Sequence, residues 1–234
     1  MRAGQITLLS DEPAISGLVG EFSGFDAPRV VVSSEPSLSA QLRAQTAPCH
    51  REIEIMLRLP GAIGSRGQYR LWLVRFFGLY EPLERLLADF CDWNSLGLEL
   101  RARNHSSCLV VDLLSLGTDP HGLPRAPREV LPELPSFAHA LGALYVLEGA
   151  TLGGRVILGD LEARMGTAIL GASQFFGGRG DAAGPLWTSF RSAIDGFGRG
   201  RPELRTDVVS GAERTFGSIR DWFAPFCAVS GSQI

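Results

Sequence analysis

The chain has 234 residues, with 22 basic and 25 acidic side chains, a formal charge of −3, and arginine at every basic position. That balance leaves no basic footprint for nucleic acid; 45% apolar and 20% charged residues suit a globular protein with one sizeable core or at most two small ones. Cys49, Cys91, Cys108 and Cys227 are scattered with no CxxC pair, which excludes a zinc ribbon and a dithiol redox motif. The start lacks a basic segment followed by an apolar run, so a cytoplasmic protein without a secretory signal is expected.

Residues 1–36 mix Gly, Ser, Pro and acidic residues and read as an N-terminal extension, with Arg29–Ser33 a short strand or a packed arm. Residues 37–58 show helical spacing through Leu42, Thr46, His50, Ile53 and Leu57, with Ser37 or Ser39 as cap and Pro60-Gly61 as stop. Pro48 either kinks this helix or marks a restart with Thr46 as cap. Residues 67–90 carry the strongest amphipathic pattern, in which Tyr69, Trp72, Phe76, Leu79, Leu83, Leu86 and Phe90 recur at threes and fours. Such a stripe predicts core, with Pro82 able to kink or break the helix. A shorter helix is expected at 104–116, and a loop at 117–135, where five prolines run from Pro120 to Pro135. Residues 173–184 are glycine-rich and loop-like; Leu186–Phe197 and Ala212–Phe226 give two last helices, and 227–234 a tail. The prediction is an all-α single domain of roughly six to eight helices over 37–226.

The most informative stretch is 141–154, Leu-Gly-Ala-Leu-Tyr-Val-Leu-Glu-Gly-Ala-Thr-Leu-Gly-Gly, expected to follow a cap at Ser136. Leu141, Leu144, Tyr145, Leu152, Val156 and Ile157 recur at helical intervals. Yet Gly142, Gly149, Gly153, Gly154 and Gly159 share the helix, and each interior glycine costs roughly 0.8–1 kcal/mol against alanine. Gly149 and Gly153 are four apart and so share a face. Two readings stay open: a bare face for a flat ligand, or close packing of two helices through GxxxG. A membrane span is rejected because Glu148 sits at the centre and His139 and Arg155 flank it.

Of four histidines, His121 is expected in solvent, His105 as a helix cap and His139 on the surface of a first helical turn. His50 differs, because it shares a face with Thr46, Ile53 and Leu57 and so points to the core or a cleft. Glu54, one turn on, can take the second imidazole N–H and fix the tautomer. No Glu-x-x-His pair, G-x-S-x-G elbow, P-loop or dinucleotide fingerprint is present.

The helix bearing Arg43, Thr46, His50 and Glu54, the block Tyr69–Glu84 and the stretch Leu141–Gly154 together resemble heme oxygenase, in particular the bacterial phytochrome-associated subtype, over about residues 38–225. The resemblance implies a heme-oxygenase-like helical bundle. It implies that His50 ligates heme iron, Glu54 supports it, and Gly149 and Gly153 lie over the ring and bound O2 as the catalytic glycines. Arg43 and Arg191 would meet the propionates, with Thr46 and Tyr145 also lining the cofactor. The implied reaction opens heme b, both substrate and cofactor, to biliverdin, ferrous iron and carbon monoxide. It uses O2 and an external electron donor such as a ferredoxin or similar reductase system, and a bacteriophytochrome is the implied further partner. Ala150 stands where the mammalian type carries an aspartate that organises distal water. A relative that binds heme or bilin without turnover is the alternative, and a helical relative acting on another small molecule is a third reading.

Overall fold

The computed structural model describes residues 35–178 and 180–230. The strand or arm expected at Arg29–Ser33, with most of the extension, lies outside them. Among the described residues there are seven α-helices and no strand, in agreement with the predicted class.

Helix α1 is Leu38–Leu57, opened by the Ser37 side chain accepting the Ala40 N–H at 3.3 Å and closed by Arg58 in the left-handed region. It runs through Pro48 without a break. Thr46 is not a cap: its hydroxyl donates to Leu42 O at 2.8 Å inside the helix, so α1 does not restart there. Helix α2, Arg66–Ala88, is capped by Ser65 and passes Pro82 unbroken, because the apolar stripe holds both halves in the core. Tyr69, Trp72, Phe76, Leu79 and Leu83 are all buried. Phe76 meets Phe175 and Phe223 at ring distances of 5.0 Å each, and Trp72 stacks on Phe223 at 5.9 Å. Tilted and edge contacts of this kind add to the area that aromatic rings bury.

Two short 3-10 turns, Asp92–Leu96 and Leu100–Arg103, lead into α3 at Ser106–Ser115. After the proline-rich loop come α4 (Phe137–Met165), the single turn α5 (Gln174–Gly177), α6 (Ala183–Gly200) and α7 (Arg205–Ser230). The last three elements of any length exceed their predicted bounds, since glycine interrupts the sequence pattern more readily than it interrupts a packed helix. Asp112 on α3 pins α5 in place by accepting the Gln174 and Phe175 N–H groups at 2.8 Å each.

Helix α7 is the spine. Antiparallel to it, α4 sets His139 against Gly211 and Gly142 against Val208 and Ala212. A Cβ on Gly142 would lie 1.9 Å from Val208 O, and one on Gly211 2.0 Å from His139 O. These glycines therefore serve backbone-to-backbone packing. Parallel to α7, α1 joins it through Arg205 Nε to Gln41 Oε1 at 3.0 Å and through the His50–Phe216 ring contact.

Three polar expectations need correction. His139 is buried, not on the surface, because α7 closes over the first turn of α4. Ser136 holds the N-cap position, but its hydroxyl bonds His139 Nδ1 at 2.8 Å and not the backbone. His105 is buried and makes no capping bond; Asn104 Oδ1 does that work by accepting the Ser107 N–H at 2.8 Å. By length and composition, Phe137–Ile169 could cross a membrane. Its first half, from Ala138 to Glu148, is instead core, and Glu148 is neutralised by Arg103 at 2.6 Å.

Candidate functional site

The glycines of α4 divide into two sets. Gly142 and Gly154 have no room for a side chain, for a Cβ on Gly154 would come within 2.7 Å of Phe176 O. Gly153 and Gly159 meet nothing within 4 Å, and Gly149 meets only Trp187 Cη2 at 3.9 Å. Close packing thus accounts for the first set and leaves Gly149 and Gly153 as a bare backbone face. Leu152 and Val156 border it, 43% and 59% exposed.

His50 is 59% exposed at its side chain, with its ring edge-on to buried Phe216 at 6.2 Å. Glu54 Oε2 lies 3.4 Å from His50 Nδ1. That placement favours a proton on Nδ1 and leaves the Nε2 lone pair for a ligand. Thr46 and Ile53 are buried on either side, so His50 stands at an edge of the core and not within it.

Tyr145 ties the two helices together. Burial pushes its phenol above the usual value, against a hydrogen bond with Thr46 and the charges of Arg43 and Arg191. Thr46 and Arg43 of α1 and Arg191 of α6 thus each lie within reach of Tyr145 on α4. Both arginines are exposed. Four of the anticipated residues, Arg43, Thr46, Tyr145 and Arg191, thus gather where α1, α4 and α6 converge, with His50 one turn further along α1. Gly149 lies one turn beyond Tyr145 on α4.

Sequence reasoning missed Trp187. Its ring lies 5.7 Å from that of Tyr145, and it closes one edge of the Gly149 face. It sits four residues before Arg191, so the arginine and the indole share a face of α6; that spacing was the available signal. The site is an open face and not a closed cavity. Two hollows lie elsewhere, one among Leu87, Leu100, Arg103 and Leu147, the other among Glu162, Ile169 and Leu170. Among the described residues no group of three or more His, Cys, Asp or Glu could hold a metal ion.

No protein-family model matches the sequence, and no curated protein matches it. Solved structures do match in fold. The heme oxygenase of Neisseria meningitidis, studied in NO- and CO-bound forms, superimposes with a TM-score of 0.66 at 20% identity, over 81% of this chain and 93% of that one. The heme oxygenase of Leptospira interrogans gives a TM-score of 0.62 at 18% identity, over 81% of this chain and 100% of that one. At such identities the likeness establishes a common fold.

Proposed function

We propose that the chain is a heme oxygenase: it binds heme b between α1 and α4 and opens it to biliverdin, ferrous iron and carbon monoxide. The observation that carries this reading is the bare Gly149–Gly153 face of α4, together with an exposed, carboxylate-supported His50 on α1. The fold likeness to heme oxygenases agrees with it. Heme would supply the iron that activates O2 and the ring that is opened.

The residues fit such a ligand. Iron here would be carried by the heme itself, and His50 Nε2 would be the residue that holds it. Glu54 would keep that ring in one tautomer. Gly149 and Gly153 would let helix backbone approach such a ligand with no Cβ in the way. Arg43, Arg191 and the Tyr145 hydroxyl form a polar edge for two carboxylates, and the guanidinium fork suits them. Thr46 orients Tyr145. Leu152, Val156 and Trp187 supply apolar cover for the ring.

Electrons come from a separate protein, a ferredoxin or similar system, since the sequence holds no flavin or iron–sulfur motif. The phytochrome-associated subtype belongs to the same proposal, and finding a bacteriophytochrome gene next to this one would support it. A second reading, binding of heme or bilin without turnover, is favoured by Ala150, whose methyl group cannot order water next to Gly149.

Hemin titration decides first. A His-ligated Soret spectrum at one equivalent, followed by greening with ascorbate or a ferredoxin system in air, is the expected result. A stable heme spectrum under those conditions selects the second reading, and failure to bind hemin removes both.

A further inference from the structure

The strongest feature outside the site is a buried ion pair behind it. Arg103 and Glu148 are each 3% exposed at the side chain, and Arg103 Nη1 lies 2.6 Å from Glu148 Oε2. The same guanidinium reaches Leu186 O on α6 with Nη2 at 3.5 Å, and its carbon lies 5.4 Å from the Phe190 ring centre. Glu148 is the residue before Gly149, and Leu186 the residue before Trp187. One side chain therefore holds both elements directly behind the place where Trp187 comes within 3.9 Å of the Gly149 Cβ position.

The base from which Arg103 reaches is itself fixed. It closes the 3-10 turn Leu100–Arg103, and just beyond that turn the Glu84 carboxylate of α2 accepts the His105 N–H at 2.5 Å and the Ser106 N–H at 3.1 Å. At the far end, Thr151 Oγ1 donates to Glu148 O at 2.6 Å. A threonine hydroxyl bonded back along a helix favours local bending, and the neighbouring Gly149 and Gly153 carry no side chain to resist it. A glycine-rich helix left to itself would sample several curvatures.

We propose that Arg103 is a positioning residue that sets the spacing of α4 and α6 and so fixes the Gly149–Trp187 edge of the heme site. The assignment rests on the heme reading for its purpose and on the contacts above for its geometry. Arginine is required because a planar fork can meet a carboxylate and a carbonyl at once, whereas a lysine ammonium is a point charge.

The test uses the full chain and two variants. Arg103→Lys keeps the charge. Arg103→Met combined with Glu148→Leu removes the pair together, which avoids an uncompensated buried charge. Amide exchange in the ligand-free protein should quicken about tenfold in segments 149–157 and 184–190 while α1 and α3 keep their rates, as expected of a local opening. Hemin affinity, set by His50 on another helix, should change less than about threefold, while imidazole added to the hemin complex should bind about tenfold more tightly as the wall relaxes. Wild-type exchange rates in both segments, or faster exchange spread evenly over all helices, overturn the proposal. So does loss of cooperative melting in both variants, which would make Arg103 a folding residue. Wild-type protein that ignores hemin sinks the heme reading alone, because the exchange contrast still decides the role of Arg103.

Discussion

Alanine at Gly153 should make the ligand-free protein more stable, and alanine at Gly142 should make it markedly less stable. Both positions are interior to α4, so both gain the same helix propensity on substitution, about 0.8–1 kcal/mol. At Gly153 nothing lies within 4 Å of the new methyl group, and the propensity gain is kept whole. For a chain of this size it corresponds to a rise of about 2–4 °C in melting temperature. At Gly142 the methyl group would lie 1.9 Å from Val208 O, which is backbone and cannot rotate aside. Helix α7 must move, and overpacking of this severity costs about 3 kcal/mol or more, or roughly 6–12 °C. Calorimetry or circular-dichroism melts of the apo proteins give both numbers. With saturating hemin, the order should change: Gly153→Ala should gain less from ligand than wild type, because its methyl group occupies the face the ring needs. A lower apo melting temperature for Gly153→Ala would show that the face is packed in the free protein, and the division of the glycines would fail.

His50→Ala should leave the apo stability within the roughly ±0.5 kcal/mol typical of surface changes and abolish the His-ligated hemin spectrum, with added imidazole restoring it; an unchanged spectrum would move the ligand elsewhere. Arg43→Ala and Arg191→Ala should each weaken hemin binding by up to about fivefold, since exposed pairs are worth at most about 1 kcal/mol. High salt should erase that difference, and a salt-independent loss would contradict the polar-edge assignment. Burial holds the His139 imidazolium below its ordinary value of 6.5, aided by Arg214 and opposed by Asp207. The unfolded chain takes up a proton near that pH more readily than the fold does, so this site's contribution is whole above pH 6.5 and shrinks as pH falls toward the folded value. His139→Gln should flatten that part of the stability profile, and a variant that melts with the wild-type slope would contradict it.

The helical class and most helix positions were legible because apolar spacing reports directly on which side of a helix meets a core. The aromatic stripe of α2 needed nothing more. The glycines were legible as an anomaly only. Gly142 and Gly149 look alike in sequence, and their difference depends on where α7 crosses, more than 60 residues later. His139 and His105 were misplaced for the same reason: local pattern put them at helix starts, while α7 over one and the Glu84 and Tyr80 side chains beside the other bury them. Arg103 was invisible because a single 3-10 turn has no periodicity to read. The grouping of Arg43, Thr46 and His50 was accessible, since all three lie on one helix. Their meeting with Tyr145 and Arg191 required three helices to be placed.

Pro48 has one more effect on α1. The helix is clamped at its start, where Asp195 accepts from the Ser39 N–H and hydroxyl at 2.7 and 3.0 Å. Just past its end, Arg164 donates to Pro60 O and Ile63 O at 2.9 and 2.8 Å. Between the clamps, Pro48 offers no N–H, so the rung to Ala44 O is missing, and both residues face solvent. The helix is thus a beam fixed at both ends with a soft point two residues before His50. Small changes in the height of the imidazole can be taken up as local flexing there, without disturbing either clamp. A rigid, fully laddered α1 would have to transmit the same displacement to α6 and α7.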